Sequence, residues 1–251
     1  MIPVADIIAD ILSPLIEVAN AVLLFFHDTV GLSWGLSIIG LTFLTRALIL
    51  PLSVKQIRSM RALAALQPQI KEIQEKYKDD RERQQREMMR IYQENNVNPF
   101  ASCLPLLLQI PVFLSLFYLL RSDTFQQEIY ATGDPGFLFI PDLTEKAVGI
   151  DLVILLVLYA GTSVIAGLIM TGTTASKQQR FITLGLPLLF IPFVIGFPAG
   201  VLVYWIATNF WTMGQQAVVK VFFPPPPPPT PEEIRAAKPP PPPPKKKSRN
   251  R

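Results

Sequence analysis

The chain has 251 residues, half of them hydrophobic, only 17% charged, with a formal net charge of +4 and a mean hydropathy of +0.35. Soluble domains of this size carry about 25% charge, and here the charges gather in blocks between long uncharged runs, which excludes an ordinary soluble domain and points to an integral membrane protein. A single cysteine, Cys103, excludes an intrachain disulfide, and with one histidine, His27, there are too few ligands for a zinc cluster, so neither a metal nor another cofactor is expected.

Residues 1–32 read as an amphipathic helix lying in the outer interface. Asp6, Asp10, Ser13, Glu17 and Asn20 recur every three or four residues, opposite Ile8, Ile11, Leu15, Ala19, Val22 and Phe26. A signal peptide is rejected because no basic residue precedes the apolar run and acids interrupt it. Pro14 favours a kink. Apolar runs of spanning length then cover 33–54, 100–121, 150–171, 181–197 and 198–220. The last two are joined tightly at Phe197-Pro198-Ala199-Gly200.

Between the first two runs, residues 55–99 form a charged helical hairpin. Leu63, Leu66, Ile70, Ile73 and Tyr77 make an a/d seam, Lys78-Asp79-Asp80 the turn, and Met88, Ile91 and Tyr92 lie on the returning arm. Residues 122–149 and 172–180 are loops. The tail, 221–251, carries two polyproline blocks that favour extended spacers, and it is expected to be disordered. Its end holds Lys245, Lys246, Lys247, Arg249 and Arg251, a cluster suited to ribosomal RNA phosphates or anionic lipid. The fold class expected is an all-α membrane protein: a five-helix transmembrane bundle with an N-terminal interfacial helix and a cytoplasmic helical hairpin.

Loop charge sets the orientation. Lysine and arginine are absent from 1–33, frequent from Lys55 to Arg90, sparse in 121–149, present at Lys177 and Arg180, and frequent again from Lys220 onward. The alternation predicts an outer N-terminus and a cytoplasmic C-terminus.

Arg46 is the one formal charge well inside a run. It falls roughly 18 Å down a hydrocarbon core of about 30 Å. Placing an arginine there costs about 2.5–3.5 kcal/mol on insertion scales, so it should face protein or water. Leu48, Ile49, Leu50 and Leu52 continue the apolar run beyond it, which argues against snorkelling. No carboxylate lies deep in any run to pair with it, so a wet cavity that attracts a negative group on a visiting chain is expected. Thr42, one turn away on the same face, and Gln109, Thr162, Ser163, Tyr204, Trp205 and Asn209 are the polar or amphipathic residues placed to line that cavity. An ion-coupled carrier would need intramembrane carboxylates or inverted repeats, and a hydrolase a nucleophile with its base; the runs supply neither. No Gly-rich phosphate loop is visible.

Four segments carry a family resemblance. They are Thr42-Phe43-Leu44-Thr45-Arg46-Ala47-Leu48-Ile49-Leu50-Pro51-Leu52; Gln67-Pro68-Gln69-Ile70-Lys71-Glu72-Ile73 in the hairpin; Asn98-Pro99-Phe100 through Gln109-Ile110-Pro111-Val112-Phe113; and Phe197-Pro198-Ala199-Gly200-Val201-Leu202-Val203-Tyr204-Trp205 with Asn209 and Gln215-Gln216. In this order the chain resembles the YidC family of membrane protein insertases over about residues 30–220. The resemblance implies a non-enzymatic insertase and chaperone of the bacterial cell membrane, working as a monomer. It implies a hydrophilic groove open to the cytoplasm and to lipid, with Arg46 as the groove arginine and Thr42 and Trp205 as contacts of the entering segment. Nascent membrane proteins and the bilayer are the partners implied, with the ribosome, through hairpin and tail, and the general secretion translocon as further ones. Many relatives carry a glutamine where this chain reads Ala166-Gly167-Leu168, so the groove is expected to be less polar there. The large outer domain of relatives from double-membraned bacteria is not seen, so a single-membrane type is expected.

Overall fold

The computed structural model describes residues 4–98, 104–171 and 177–222. Cys103 and the tail from Phe223, with its basic cluster Lys245, Lys246, Lys247, Arg249 and Arg251, lie outside the described residues. All the regular elements described are helical: α1 (Val4–Leu24), α2 (Trp34–Leu48), α3 (Leu50–Ala65), α4 (Gln67–Lys76), α5 (Arg81–Glu94), α6 (Leu104–Arg121), α7 (Asp123–Ala131), α8 (Gly149–Thr171), α9 (Lys177–Leu189), α10 (Ile191–Val194) and α11 (Ala199–Phe222). The protein is an all-α membrane bundle. α11 packs against α8, α2 and α6; α1 lies along α6 and α2; α9 packs on α8.

Three helix breaks have one cause. Pro51, Pro68 and Pro192 each stand at the second position of a new helix, α3, α4 and α10. Proline has no N–H to return to the carbonyl four residues earlier, and its ring excludes that carbonyl. The helix therefore ends just before each proline and restarts in a new direction. The consequence is largest at Ile49, where α2 and α3 meet at 60°. The straight span expected over 33–54 is thus two helices, α2 and the start of a longer α3. The run expected over 181–197 is likewise divided, between α9 and α10. Pro14, Pro111 and Pro187 sit inside α1, α6 and α9 without dividing them.

By length and composition, two of the described helical stretches suffice to cross a membrane: Ile7–Thr29, with mean hydropathy 1.9, and Gly149–Met170, with 2.5. The bent pair α2–α3 counts as a third if it is one span. The first of these was expected to lie along the interface, and nothing in its length requires that. Its acidic positions Asp10 and Glu17 are exposed, and only Ala19 and Leu23 are buried, against the bundle.

The core sits at one end of the bundle. Trp34, Ile38 and Leu41 of α2, Leu116, Leu119 and Leu120 of α6, Phe125 and Ile129 of α7, and Val201, Leu202 and Tyr204 of α11 pack with Ile140 and Leu143 of the connecting loop. α7 lies inside the stretch expected to be loop. Ser122 caps it, its Oγ accepting from the N–H of Phe125 at 3.3 Å. The following loop closes the end. The first N–H groups of a helix have no partner within it; in α11, Ala199 N donates to Glu145 O and Gly200 N to Leu143 O, both at 2.8 Å. Asp142 holds the loop in shape. Its Oδ1 accepts from Thr144 N and Thr144 Oγ1, each at 2.7 Å, and its Oδ2 from Tyr130 Oη at 2.6 Å. Trp34 Nε1 donates to Thr132 Oγ1 at 2.9 Å, and the His27 ring stacks on Trp34 with centroids 3.9 Å apart.

The hairpin stands off this core. α4 and α5 pack on each other, and Gln84 Nε2 donates to Gln74 O at 3.0 Å across them. Leu66 and Ile70 of the expected seam are buried. Asp80 caps α5 by accepting from Arg83 N at 3.0 Å. Exposed pairs such as Arg90–Glu94, at 2.7 Å, run along α5; solvent screens them, so they add little.

Candidate functional site

The burial of α2 stops at Thr42. Phe43 and Leu44 are exposed, Arg46 is partly buried in the last helical turn, and Leu48 is 75% exposed just before the bend. The proline-driven turn at Ile49 thus places Arg46 at the end of the bundle opposite the closed loop. The last carbonyls of a helix carry partial negative charge, which favours a cation there by about 0.3–1 kcal/mol. That offsets only part of the roughly 2.5–3.5 kcal/mol that an arginine at membrane depth costs. Among the described residues no carboxylate pairs with Arg46; the ion pairs described all lie on α5. Tyr204 of α11 is the ionisable side chain near it among the described residues.

Tyr204 is buried, and its Oη accepts a hydrogen bond from Gln109 Nε2 of α6. Three helices distant in sequence therefore bring Arg46, Tyr204 and Gln109 to one place. Thr42 is sealed within the bundle at 0% exposure, its Oγ1 donating to Ile38 O of its own helix at 2.7 Å.

Asn209, Thr162 and Ser163 form a second group. Asn209 Nδ2 on α11 lies 3.0 Å from Thr162 Oγ1 and 2.9 Å from Ser163 Oγ on α8. Both hydroxyl residues are buried, so this trio joins α8 to α11. Gly167 has a related role. A Cβ there would lie 2.9 Å from Leu184 Cδ2 and 3.2 Å from Thr183 Cγ2, so the missing side chain admits α9 against α8.

Trp205, the residue after Tyr204, faces an aromatic cluster. Its ring stacks on Phe113 of α6 at 5.0 Å between centroids and 10° between planes, with Tyr159 at 5.5 Å and Phe197 at 5.7 Å. Phe190 and Phe193, at 39% and 65% exposure, carry the aromatic surface outward on the α9–α10 side. Tyr159 was not singled out from the sequence, and Phe113 and Phe197 stood there only as parts of the family-resembling segments, not as site residues. Their only signal there is aromatic character inside apolar runs, which core packing produces equally well.

A family model described as 60Kd inner membrane protein matches residues 25–225. A protein named membrane protein insertase YidC from Streptomyces avermitilis is 35% identical over 226 residues, covering 78% of this chain and 53% of that protein. One of the same name from Histophilus somni is 36% identical over 188 residues, covering 74% of this chain and 33% of its own length. Among solved structures, a crystal structure of an active YidC insertase with its first transmembrane domain resolved superposes with a TM-score of 0.64. It is 27% identical and covers 84% of this chain and 46% of that one. The chain therefore spans about half, or less, of the length of these relatives.

Proposed function

The chain belongs to the 60Kd inner membrane protein family, and from that premise we propose that it is a membrane protein insertase and chaperone, with Arg46 as the attracting charge of its entry groove. The observation that carries the reading is a guanidinium without a carboxylate partner among the described residues, at the end of the bundle that the core leaves uncovered. A hydrophobic segment with a polar or acidic tail enters from the cytoplasm. Arg46 holds the tail, and Gln109, half-buried and itself bonded to the buried Tyr204, is the polar side chain α6 contributes to the groove. The segment's apolar part then passes along Trp205, Phe190 and Phe193 into lipid. Burial of its apolar surface, about 25 cal/mol per Å², drives the step without a nucleotide. The loop over the far end keeps the groove from becoming a pore, which supports translocation of short tails rather than conduction.

In this reading the closed end faces outward, and the hairpin and C-terminus are cytoplasmic. Loop charge supports that orientation. Nascent membrane proteins are the substrates, and the hairpin, with the basic tail, is the surface offered to the ribosome or to the secretion translocon. The protein acts as a monomer.

The test is site-specific photocrosslinking from position 205 to ribosome-bound nascent chains in native membranes, with Tyr159, buried in the same cluster, as a shielded control. Adducts from 205 that appear only while a hydrophobic segment is emerging support the route. Their absence, with the protein present at normal level, rejects it.

A further inference from the structure

The tip of the loop over the closed end breaks a local rule. Phe137 N donates to Ile140 O at 2.8 Å and Ile140 N to Phe137 O at 2.9 Å, so Leu138 and Phe139 are the two central residues of a tight hairpin turn. Leu138 has φ = 56°, whereas Phe139 is not among the residues of positive φ. The first central position of such a turn is ordinarily glycine, because a Cβ there is strained. Here it is leucine at 85% exposure, followed by phenylalanine at 38%. A strained backbone that presents two large apolar side chains outward is doubly unfavourable in water.

The turn is held at a defined depth. The Phe137 ring fills the space where Gly35 has no side chain; a Cβ on Gly35 would lie 2.0 Å from Phe137 Cγ. Gly35 is in the first turn of α2, and the same loop caps the first residues of α11 through Leu143 and Glu145. Leu138 is one residue from Phe137, about 3.8 Å along the chain. The tip thus stands at the level where α2 and α11 begin, at one end of the membrane bundle. Further along the same loop Val148 and Ile150, at 73% and 68% exposure, open α8, whose Val153 and Val157 are also exposed and which is the most apolar of the described helices of spanning length.

We infer that Leu138 and Phe139 form a lipid anchor: the turn dips into the interfacial region of the leaflet at the closed end and pins the closing loop to the bilayer. Lipid is the occupant because the tip, packed through Phe137 against the first turn of α2, stands at an end of an all-α membrane bundle and exposes two large apolar side chains there.

The experiment uses the full chain with C103S, reconstituted in liposomes and labelled with an environment-sensitive fluorophore at L138C or, separately, F139C. D134C on the same loop is the aqueous control and V153C the lipid control. Quenching by phospholipid carrying a nitroxide high on its acyl chain is compared with quenching by iodide. The anchor predicts that the tip probes lose fluorescence to the nitroxide lipid as V153C does, and resist iodide. It also predicts that L138G, which suits the turn, shifts the F139C probe toward iodide access. Tip probes quenched by iodide as strongly as D134C, and untouched by nitroxide lipid, would overturn the inference.

Discussion

Replacing Arg46 by alanine isolates the charge on which the insertion reading rests. A carboxylate about 4 Å from a guanidinium gains about 1 kcal/mol at the dielectric of bulk water and about 4 kcal/mol at the effective value typical near a protein surface. Arg46 lies between these limits, being partly buried while Leu48 beside it is 75% exposed. If the tail is held only during crossing, the whole attraction enters the barrier. At 1.36 kcal/mol per decade, R46A slows insertion of an acidic-tailed segment between roughly five-fold and roughly a thousand-fold. A matched segment with a neutral tail is much less affected. R46K keeps a charge within reach and loses only the bidentate geometry, so it retains most of the rate. The assay is protease protection of the translocated tail in proteoliposomes, with equal amounts of correctly folded variant and its Tm measured in detergent. Wild-type rates for R46A with the acidic tail would refute the reasoning. An equal loss for both tails would assign Arg46 to folding instead.

Further expectations concern the elements around that charge. N209A removes both bonds to Thr162 and Ser163; interhelical bonds in membranes average about 0.6 kcal/mol each with a maximum near 1.7, so its Tm should fall by roughly 2–14 °C, and an unchanged Tm in a detergent melt would show the trio to be idle. G200A places a Cβ 2.9 Å from Leu120 Cδ1 and 3.0 Å from Leu143 O, a clash with backbone that costs about 1–3 kcal/mol; a variant as stable as wild type would mean that the closed end yields. Tyr130, hydrogen-bonded to Asp142, titrates above the ordinary tyrosine value because that carboxylate holds its proton. Its contribution is therefore complete below the unfolded value near 10 and lost as pH rises through the higher folded one. Melts between pH 8 and 11 should show an alkaline loss in wild type that Y130F lacks.

The charge blocks, the apolar runs and the isolation of Arg46 are properties of local composition, so they were readable in order along the chain. The hairpin was readable for a similar reason: its seam from Leu63 to Tyr77 repeats within one helix length. Six of the prolines in the helices illustrate the limit. Pro51, Pro68 and Pro192 restart helices, and Pro14, Pro111 and Pro187 do not. Each has the same missing donor, and neighbouring helices decide whether the bend is used. Gly167 shows the same limit from the other side. As a sequence position it marks a lost polar residue, whereas in the fold it is the gap into which α9 settles.

The sequence by itself determined that this chain lives in a bilayer, which end of each run is charged, and that one arginine must be kept from lipid, because hydration and transfer free energies depend on residue type alone. Only the tertiary structure decided that Gln109 meets Tyr204 across 95 residues and that Asn209 joins α11 to α8. It alone decided that residues 142–146 close one end while α2 bends away at the other. Those are long-range pairings, set by which helix surfaces pack together, and no local pattern encodes them.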